Sequence, residues 1–218
     1  MEDVRTGYAG RSEAREQVST ATLLGQVMFL VAVALAFTVA GTYIGRELSE
    51  GTAFILFLVG FGMLIAQSFV APLRVGTLGI CWLYAIALCL GLGLGPAISY
   101  LVANDPSTVT QAAGATALIT LGMGAGGFAL SKDLARWMRP LSFVILGCVV
   151  VSFGMLLLSS GGNPILSAII AIVSALLIAV NFNYLRKHGT ADDAIWLATG
   201  IFVSIINIFL SLLNLFGD

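Results

Sequence analysis

The stretch DAIWLATGIFVSIINIFLSLLNLF, residues 193–216, is long and apolar enough to cross a lipid bilayer as one helix. Crossing a hydrocarbon core of about 30 Å takes roughly 20 residues at a rise of ~1.5 Å per residue. Six further stretches meet the same requirement. The seven predicted spans are 22–45, 52–70, 77–102, 109–130, 138–159, 164–185 and 193–216. The sequence therefore predicts an all-α polytopic membrane protein, a bundle of seven transmembrane helices.

The last span carries a stripe of small and uncharged polar residues. Its members are spaced alternately four and three residues apart, so at about 100° per residue they lie within roughly 80° of arc on one face. A polar stripe in lipid must face protein or water, which places the seventh helix in the bundle interior. The stripe consists of Gly200, Ser204, Asn207, Ser211 and Asn214.

A second stripe lies on the sixth span, where Ser167, Ser174 and Asn181 recur every seven residues, with Asn183 close by. Two interpretations remain open. Such stripes form interhelical hydrogen bonds and close packing, or they line a gated polar path. The candidate residues for such a path are Asn181, Ser204, Asn207, Ser211 and Asn214.

The basic residues predict the orientation. Nine of the ten lie before the first span or in the loops after the even-numbered spans. Cytoplasmic loops carry the excess of Lys and Arg, so we predict a cytoplasmic N-terminus and, with seven spans, an external C-terminus in a cell membrane, most consistent with a bacterial inner membrane. The nine are Arg5, Arg11, Arg15, Arg74, Lys132, Arg136, Arg139, Arg186 and Lys187, and the exception is Arg46.

The spans occupy most of the 218 residues, which leaves no room for a soluble catalytic domain. Residues 1–20 are polar and have no apolar core, so they are predicted to be a cytoplasmic tail rather than a signal peptide. Residues 21–218 are predicted to be the transmembrane domain. The expected surroundings are the lipid bilayer, and no nucleic-acid partner is expected.

Ionisable side chains are absent from the interior of every predicted span, whereas proton relays and coupled transporters usually carry them there. Lys132 and Lys187 are the two lysines and His188 the one histidine, all in loops, so a retinal Schiff base is excluded and a buried metal or serine–histidine site is not supported. The cysteines form no CxxC pair. We therefore expect no enzyme activity, no metal and no cofactor.

Two glycine runs predict close helix packing. Gly91 to Gly95 and Gly122 to Gly126 have the spacing that lets helix backbones approach in lipid. Pro96 should kink the third helix and free a carbonyl.

The loops contain recognisable helix starts and ends. Asp105 before Pro106 is typical of a turn, and Ser107 or Thr108 is predicted to cap the fourth helix. Gly189 should close the sixth helix. Thr190 should cap the seventh helix with Asp193 as its capping-box partner.

Three segments carry a family resemblance: LGLGLGPAISYL (90–101), AAGATALITLGMGAGGFALSKDLARW (112–137) and IFVSIINIFLSLLNLFG (201–217). They resemble the Bax inhibitor-1 family, also called the transmembrane BAX inhibitor motif family, over most of the chain from about residue 20. The resemblance implies a seven-helix bundle around a central last helix. It also implies a pH-sensitive calcium leak controlled by an aspartate pair on the sixth and seventh helices. Some bacterial relatives instead bind a membrane protease.

This chain departs from that pattern at the decisive positions, because the family acid pair falls on Val180 and Ser204. The pH switch is therefore not carried over. The leading hypothesis is an ion-leak channel, with calcium or another cation as the candidate ion. The alternative is a non-conducting regulator that binds a membrane protein partner such as a protease.

Overall fold

A computed structural model describes residues 19–157 and 163–217, and it shows seven long helices. All seven are long and apolar enough to cross a membrane. Each described boundary lies within three residues of its prediction, and residues 158–159 of the fifth predicted span lie outside the described residues. The helices are α1 Thr20–Gly45, α2 Glu50–Phe69, α3 Gly76–Asn104, α4 Pro106–Ala129, α5 Met138–Leu157, α6 Pro164–His188 and α7 Ala194–Phe216.

The loops around α7 start and stop helices as predicted. Thr190 and Asp193 form the reciprocal capping box before α7, and Gly189 ends α6. The prediction for α4 was wrong, because the N-cap is Asp105 rather than Ser107 or Thr108. The Asp105 carboxylate accepts hydrogen bonds from the Thr108 backbone N–H and from both hydroxyls, at 2.5–3.2 Å. A carboxylate one residue before proline can reach these donors without breaking the turn.

The last helix lies at the centre of the bundle. It packs against α6, α4, α1 and α3. In its most apolar window 61% of the residues are buried, against 6% in the α5 span. α5 rests on α6, and its Phe153 ring lies 5.3–6.4 Å from three phenylalanine rings of α2. The interior position predicted for α7 is therefore confirmed, and α5 is the least buried of the described helices.

The first glycine run packs as predicted. A Cβ added at Gly91 would lie within 3.0 Å of the Thr38 backbone, and one added at Gly95 would meet the Gly45 backbone. Any side chain at these positions would push α1 and α3 apart. α3 continues through Pro96 to Asn104. The carbonyl of Leu92, which proline cannot bond, lies where a Cβ added at Gly45 would stand.

The second glycine run packs differently from the prediction. Gly122 and Gly126 have open space where a Cβ would stand. The close approach instead uses Gly127, against the Ala179 backbone, and Gly124, against the Phe182 ring. The spacing of glycines identifies a face of α4, but the position of α6 decides which face is covered.

Candidate functional site

The two polar stripes face each other between α6 and α7, and we call this contact the α6–α7 seam. At one end, Asn181 lies beside Gly200, whose added Cβ would be 3.3 Å from the Asn181 Oδ1 atom. At the other end, the Ser167 hydroxyl donates to the Asn214 Oδ1 atom at 2.9 Å. The seam residues are Ser167, Ser174 and Asn181 on α6 and Gly200, Ser204, Asn207, Ser211 and Asn214 on α7.

These two contacts fix the register of the antiparallel helices. Asn181 is fourteen residues beyond Ser167 on α6, and Asn214 is fourteen residues beyond Gly200 on α7. Halfway between the contacts stand Ser174 and Asn207, each seven residues from both ends of its stripe. The register therefore places these two polar side chains at the same level, in the middle of the seam.

Two of the predicted path residues donate a hydrogen bond within their own helix. Asn181, which is 4% exposed, donates its Nδ2 to the Leu177 carbonyl at 2.8 Å. The Ser204 hydroxyl donates to the Gly200 carbonyl at 2.8 Å. Ser211 is also buried. These groups are shielded from lipid, as the stripe required, and their role in permeation stays a prediction.

The middle of the seam is less satisfied. Ser174 is 0% exposed and its Oγ atom has no hydrogen-bond partner. Asn207 is half-buried, and in the described part of the chain its carboxamide makes no hydrogen bond. A buried hydroxyl without a partner costs about 1–3 kcal/mol. The seam thus has a hydrogen bond between the helices at its Ser167–Asn214 end and an unbonded centre.

The two positions to which the resemblance assigns the family acid pair are both buried. Val180 is 3% exposed and Ser204 is also 3% exposed. Neither side chain ionises, so these two positions cannot take up a proton. Among residues 19–157 and 163–217, no three His, Cys, Asp or Glu side chains come together to hold a metal ion. The oxygen atoms available to a cation along the seam are therefore hydroxyl and carboxamide oxygens.

Asn183 has a role that the sequence did not reveal. It is fully buried, and its Nδ2 lies 3.1 Å from each of the carbonyl oxygens of Gly127, Leu130 and Lys132. Its Oδ1 accepts the Leu134 backbone N–H at 2.9 Å. Asn183 therefore ties the loop after α4 to α6. At about 100° per residue it stands on the side of α6 opposite Asn181, away from the seam.

Charged side chains at the end of α6 extend this attachment, and we call the contacts of Asn183, Arg186, Lys187 and His188 with residues 127–134 the α6 latch. Arg186 donates to the Leu130 carbonyl at 2.6 Å, and Lys187 donates to the Ser131 carbonyl. A His188 Nε2–Asp133 Oδ2 contact of 2.7 Å closes the latch. The carbonyls at the end of α4, which have no hydrogen-bond partner within that helix, thus obtain donors from α6.

The latch also holds an ionised acid outside the membrane spans. The pKa of Asp133 is lowered, first because its carboxylate accepts the Ala135 backbone N–H and second because it accepts a hydrogen bond from His188. Nothing in the spacing of Asn183 or Asp133 signals these contacts, because their partners are about fifty residues away in sequence.

Comparison with known proteins shows the family of this chain. Residues 20–218 match the family model described as Inhibitor of apoptosis-promoting Bax1. The chain belongs to the Bax inhibitor-1 family. Within this family it is a multi-pass membrane protein.

Bacterial relatives align over most of the chain. An uncharacterized protein of Pseudomonas aeruginosa is 29% identical over 96% of this chain and 95% of its own length. An uncharacterized membrane protein of Vibrio cholerae is 28% identical over 91% of this chain and 87% of its own. The alignments therefore extend over most of this Bax inhibitor-1 family member.

Proposed function

We propose that this protein is an ion-leak channel of Bax inhibitor-1 type that conducts small cations, with calcium as one candidate, along the α6–α7 seam. The observation that carries the proposal is the match between the two polar stripes. Three polar levels, seven residues apart on each helix, follow one another between the two most buried helices. Polar groups in lipid are costly unless they pair or meet water. An unbonded centre supports a path rather than simple packing.

The chemistry of the seam bears on which ions would pass. Calcium binding sites use several oxygen ligands, carboxylates among them. The seam offers neutral oxygens only, from Ser and Asn side chains. We therefore expect weak discrimination between calcium and monovalent cations, and no closing step at Val180 or Ser204 on protonation. The proposed activity needs no enzyme chemistry and no cofactor.

The test is cation flux into liposomes that contain the purified protein. Asn207→Leu places an apolar side chain at the unbonded centre, and we expect calcium flux to fall by about tenfold, the equivalent of ~1.4 kcal/mol. Asn104→Leu is the matched control, because it makes the same substitution at an exposed residue on the last turn of α3. It should leave flux unchanged.

Two results would contradict the channel. Unchanged flux in Asn207→Leu would remove Asn207 from the path. If liposomes that contain the parent protein show no more flux than empty liposomes, the protein is not a channel. A pH series on the parent extends the test, because a family-like response would require an acid other than the pair replaced here.

The proposed orientation places the N-terminus and the α6 latch in the cytoplasm and the C-terminus outside. The support is the charge bias of the loops. A cysteine introduced at Ser131 should react with a membrane-impermeant maleimide only after the cells are opened. One introduced at Ser49, between α1 and α2, should react in intact cells. The reverse pattern would overturn this orientation.

The second candidate is a non-conducting regulator bound to a membrane protein such as a protease. One observation favours it: the α5 span is almost unburied, and Gly147 and Gly154 on it have nothing within 4 Å of an added Cβ. Small residues exposed on a membrane helix suit contact with another helix. A photocrosslinker at Val150 should then capture a defined membrane protein, with no ion flux from the purified chain.

A further inference from the structure

Residues 132–139, at and just before the start of α5, carry basic side chains that the rest of the described chain leaves unpaired. Arg74, Arg186 and Lys187 all donate to backbone carbonyls. In contrast, Lys132 and Arg139 are exposed and form no hydrogen bond or ion pair with any described residue. Arg136, also exposed, makes one described side-chain contact, in which its guanidinium lies 5.8 Å from the centre of the Trp137 ring. Three positive charges within eight residues are therefore available to an external anion.

The surroundings of these bases are those of a membrane surface. The indole of Trp137 is 48% exposed and donates no hydrogen bond among the described residues. Indole rings prefer the level of the lipid headgroups, where the ring is apolar on one side and its N–H meets polar groups. The bases and this ring thus stand where a lipid phosphate would be.

The helix below the bases presents an apolar side in line with them. Phe143 lies four residues after Arg139, and Val150 lies seven residues after Phe143. The three residues lie within about 40° of arc on the helix. Phe143 is 73% exposed, and Gly147 and Gly154 leave the neighbouring strip open. A phospholipid whose headgroup meets Arg139 would lay its acyl chains along this side of α5.

We propose that Lys132, Arg136 and Arg139, with Trp137, form a binding site for the phosphate headgroup of an anionic phospholipid. Charge complementarity commits the site to an anionic lipid. A zwitterionic headgroup would bring its own positive charge to three unpaired bases. A base near a charged membrane surface contributes about 1 kcal/mol, or roughly fivefold in affinity. The inference does not depend on whether the protein conducts ions.

The experiment uses the purified full chain in detergent, which removes any effect of the bases on membrane orientation. Phosphatidylglycerol or phosphatidylcholine with brominated acyl chains is titrated in, and the quenching of tryptophan fluorescence is followed. The quenching lost in Trp137→Phe isolates the signal at this site. We expect half-maximal quenching at a concentration of phosphatidylglycerol at least roughly fivefold lower than that of phosphatidylcholine.

Arg136→Gln with Arg139→Gln should abolish this preference, and Arg136→Lys with Arg139→Lys, which keeps both charges, should retain it. Arg46→Gln is the matched control. Arg46 is an exposed base at the opposite end of the bundle, paired with Glu47 at 3.4 Å, and its loss should change nothing. The proposal is overturned if the glutamine pair keeps the parent preference, if Arg46→Gln removes it equally, or if both lipids quench Trp137 alike. The last result would favour an acidic protein segment as the occupant.

Discussion

Asn183 in the α6 latch and Asn207 in the α6–α7 seam are the same residue type in opposite situations. Every hydrogen-bonding atom of the Asn183 carboxamide is used, with three carbonyls and one N–H as partners. The Asn207 carboxamide makes no hydrogen bond within the described part of the chain. A saturated buried amide fixes structure, whereas an unsaturated one keeps its donors and acceptors for another ligand.

The difference extends to the regions around them. The latch joins a loop to a helix end, where unpaired backbone carbonyls need donors and charged side chains reach water. The seam joins two continuous helices, whose backbones are already satisfied, so its side chains are not needed by the backbone. We therefore assign a stabilising role to the latch, and the seam is where the proposed ion path lies.

The largest expected effect is a difference between two identical substitutions. Asn183→Leu removes this partner from the buried Gly127 carbonyl, from two part-buried carbonyls and from one backbone N–H. We expect it to lower the free energy of unfolding by about 3–5 kcal/mol. Asn207→Leu breaks no hydrogen bond and should cost about 1 kcal/mol or less. Unfolding of both purified variants in mixed detergent micelles measures the difference. Equal losses would remove the distinction between latch and seam.

The next effect concerns the glycines beside the latch. Gly127→Ala drives a methyl group into the Ala179 backbone, which must shift, and we expect a cost of about 1–3 kcal/mol. Gly122→Ala is the control on the same helix and meets open space. It should be neutral or stabilising by up to ~1 kcal/mol, since alanine favours helix. The same unfolding assay applies, and a loss in Gly122→Ala would contradict the packing described for α4.

A smaller effect compares the bonded end of the seam with its centre. Ser167→Ala removes the hydrogen bond to Asn214 and should cost about 0.5–1.5 kcal/mol. Ser174→Ala removes a buried hydroxyl that has no partner, so it should be neutral or slightly stabilising. If Ser174→Ala proves as costly as Ser167→Ala, the centre of the seam is bonded after all.

The smallest effect is a pH dependence at the latch. Because the pKa of Asp133 is lowered in the folded protein, its stabilising contribution is complete above the ordinary aspartate pKa of about 3.9 and is lost as the pH falls through the lowered value. The parent should lose stability below about pH 4 more steeply than Asp133→Asn. Asp133 is exposed, so the difference will be small.

Ser204→Ala supplies the control at a position to which the resemblance assigns a family acid. It removes no ionisable group and should follow the parent pH curve. Thermal unfolding of the three proteins between pH 3 and pH 7 makes the comparison. A parent curve that coincides with that of Asp133→Asn would show that the charge of the Asp133 carboxylate, with its contacts to Ala135 and His188, does not stabilise the fold.

The seven spans and the polar faces were predictable from the sequence. The length of an apolar run limits what can cross a bilayer, and the fixed rise and turn of a helix place Gly200, Ser204 and Asn207 on one side without knowledge of any neighbour. The same reasoning predicted the capping box at Thr190, since its two partners are three residues apart. These features depend on distances along one helix or one turn.

Tertiary structure decided which of these faces meet. It selected Gly127 instead of Gly122 and Gly126, made Asn183 the centre of a loop attachment, and left Ser174 level with Asn207 but without a bond. Each of these outcomes depends on the register and rotation of two helices relative to each other. A sequence sets periodicity within a helix, but packing between residues about fifty positions apart sets the register.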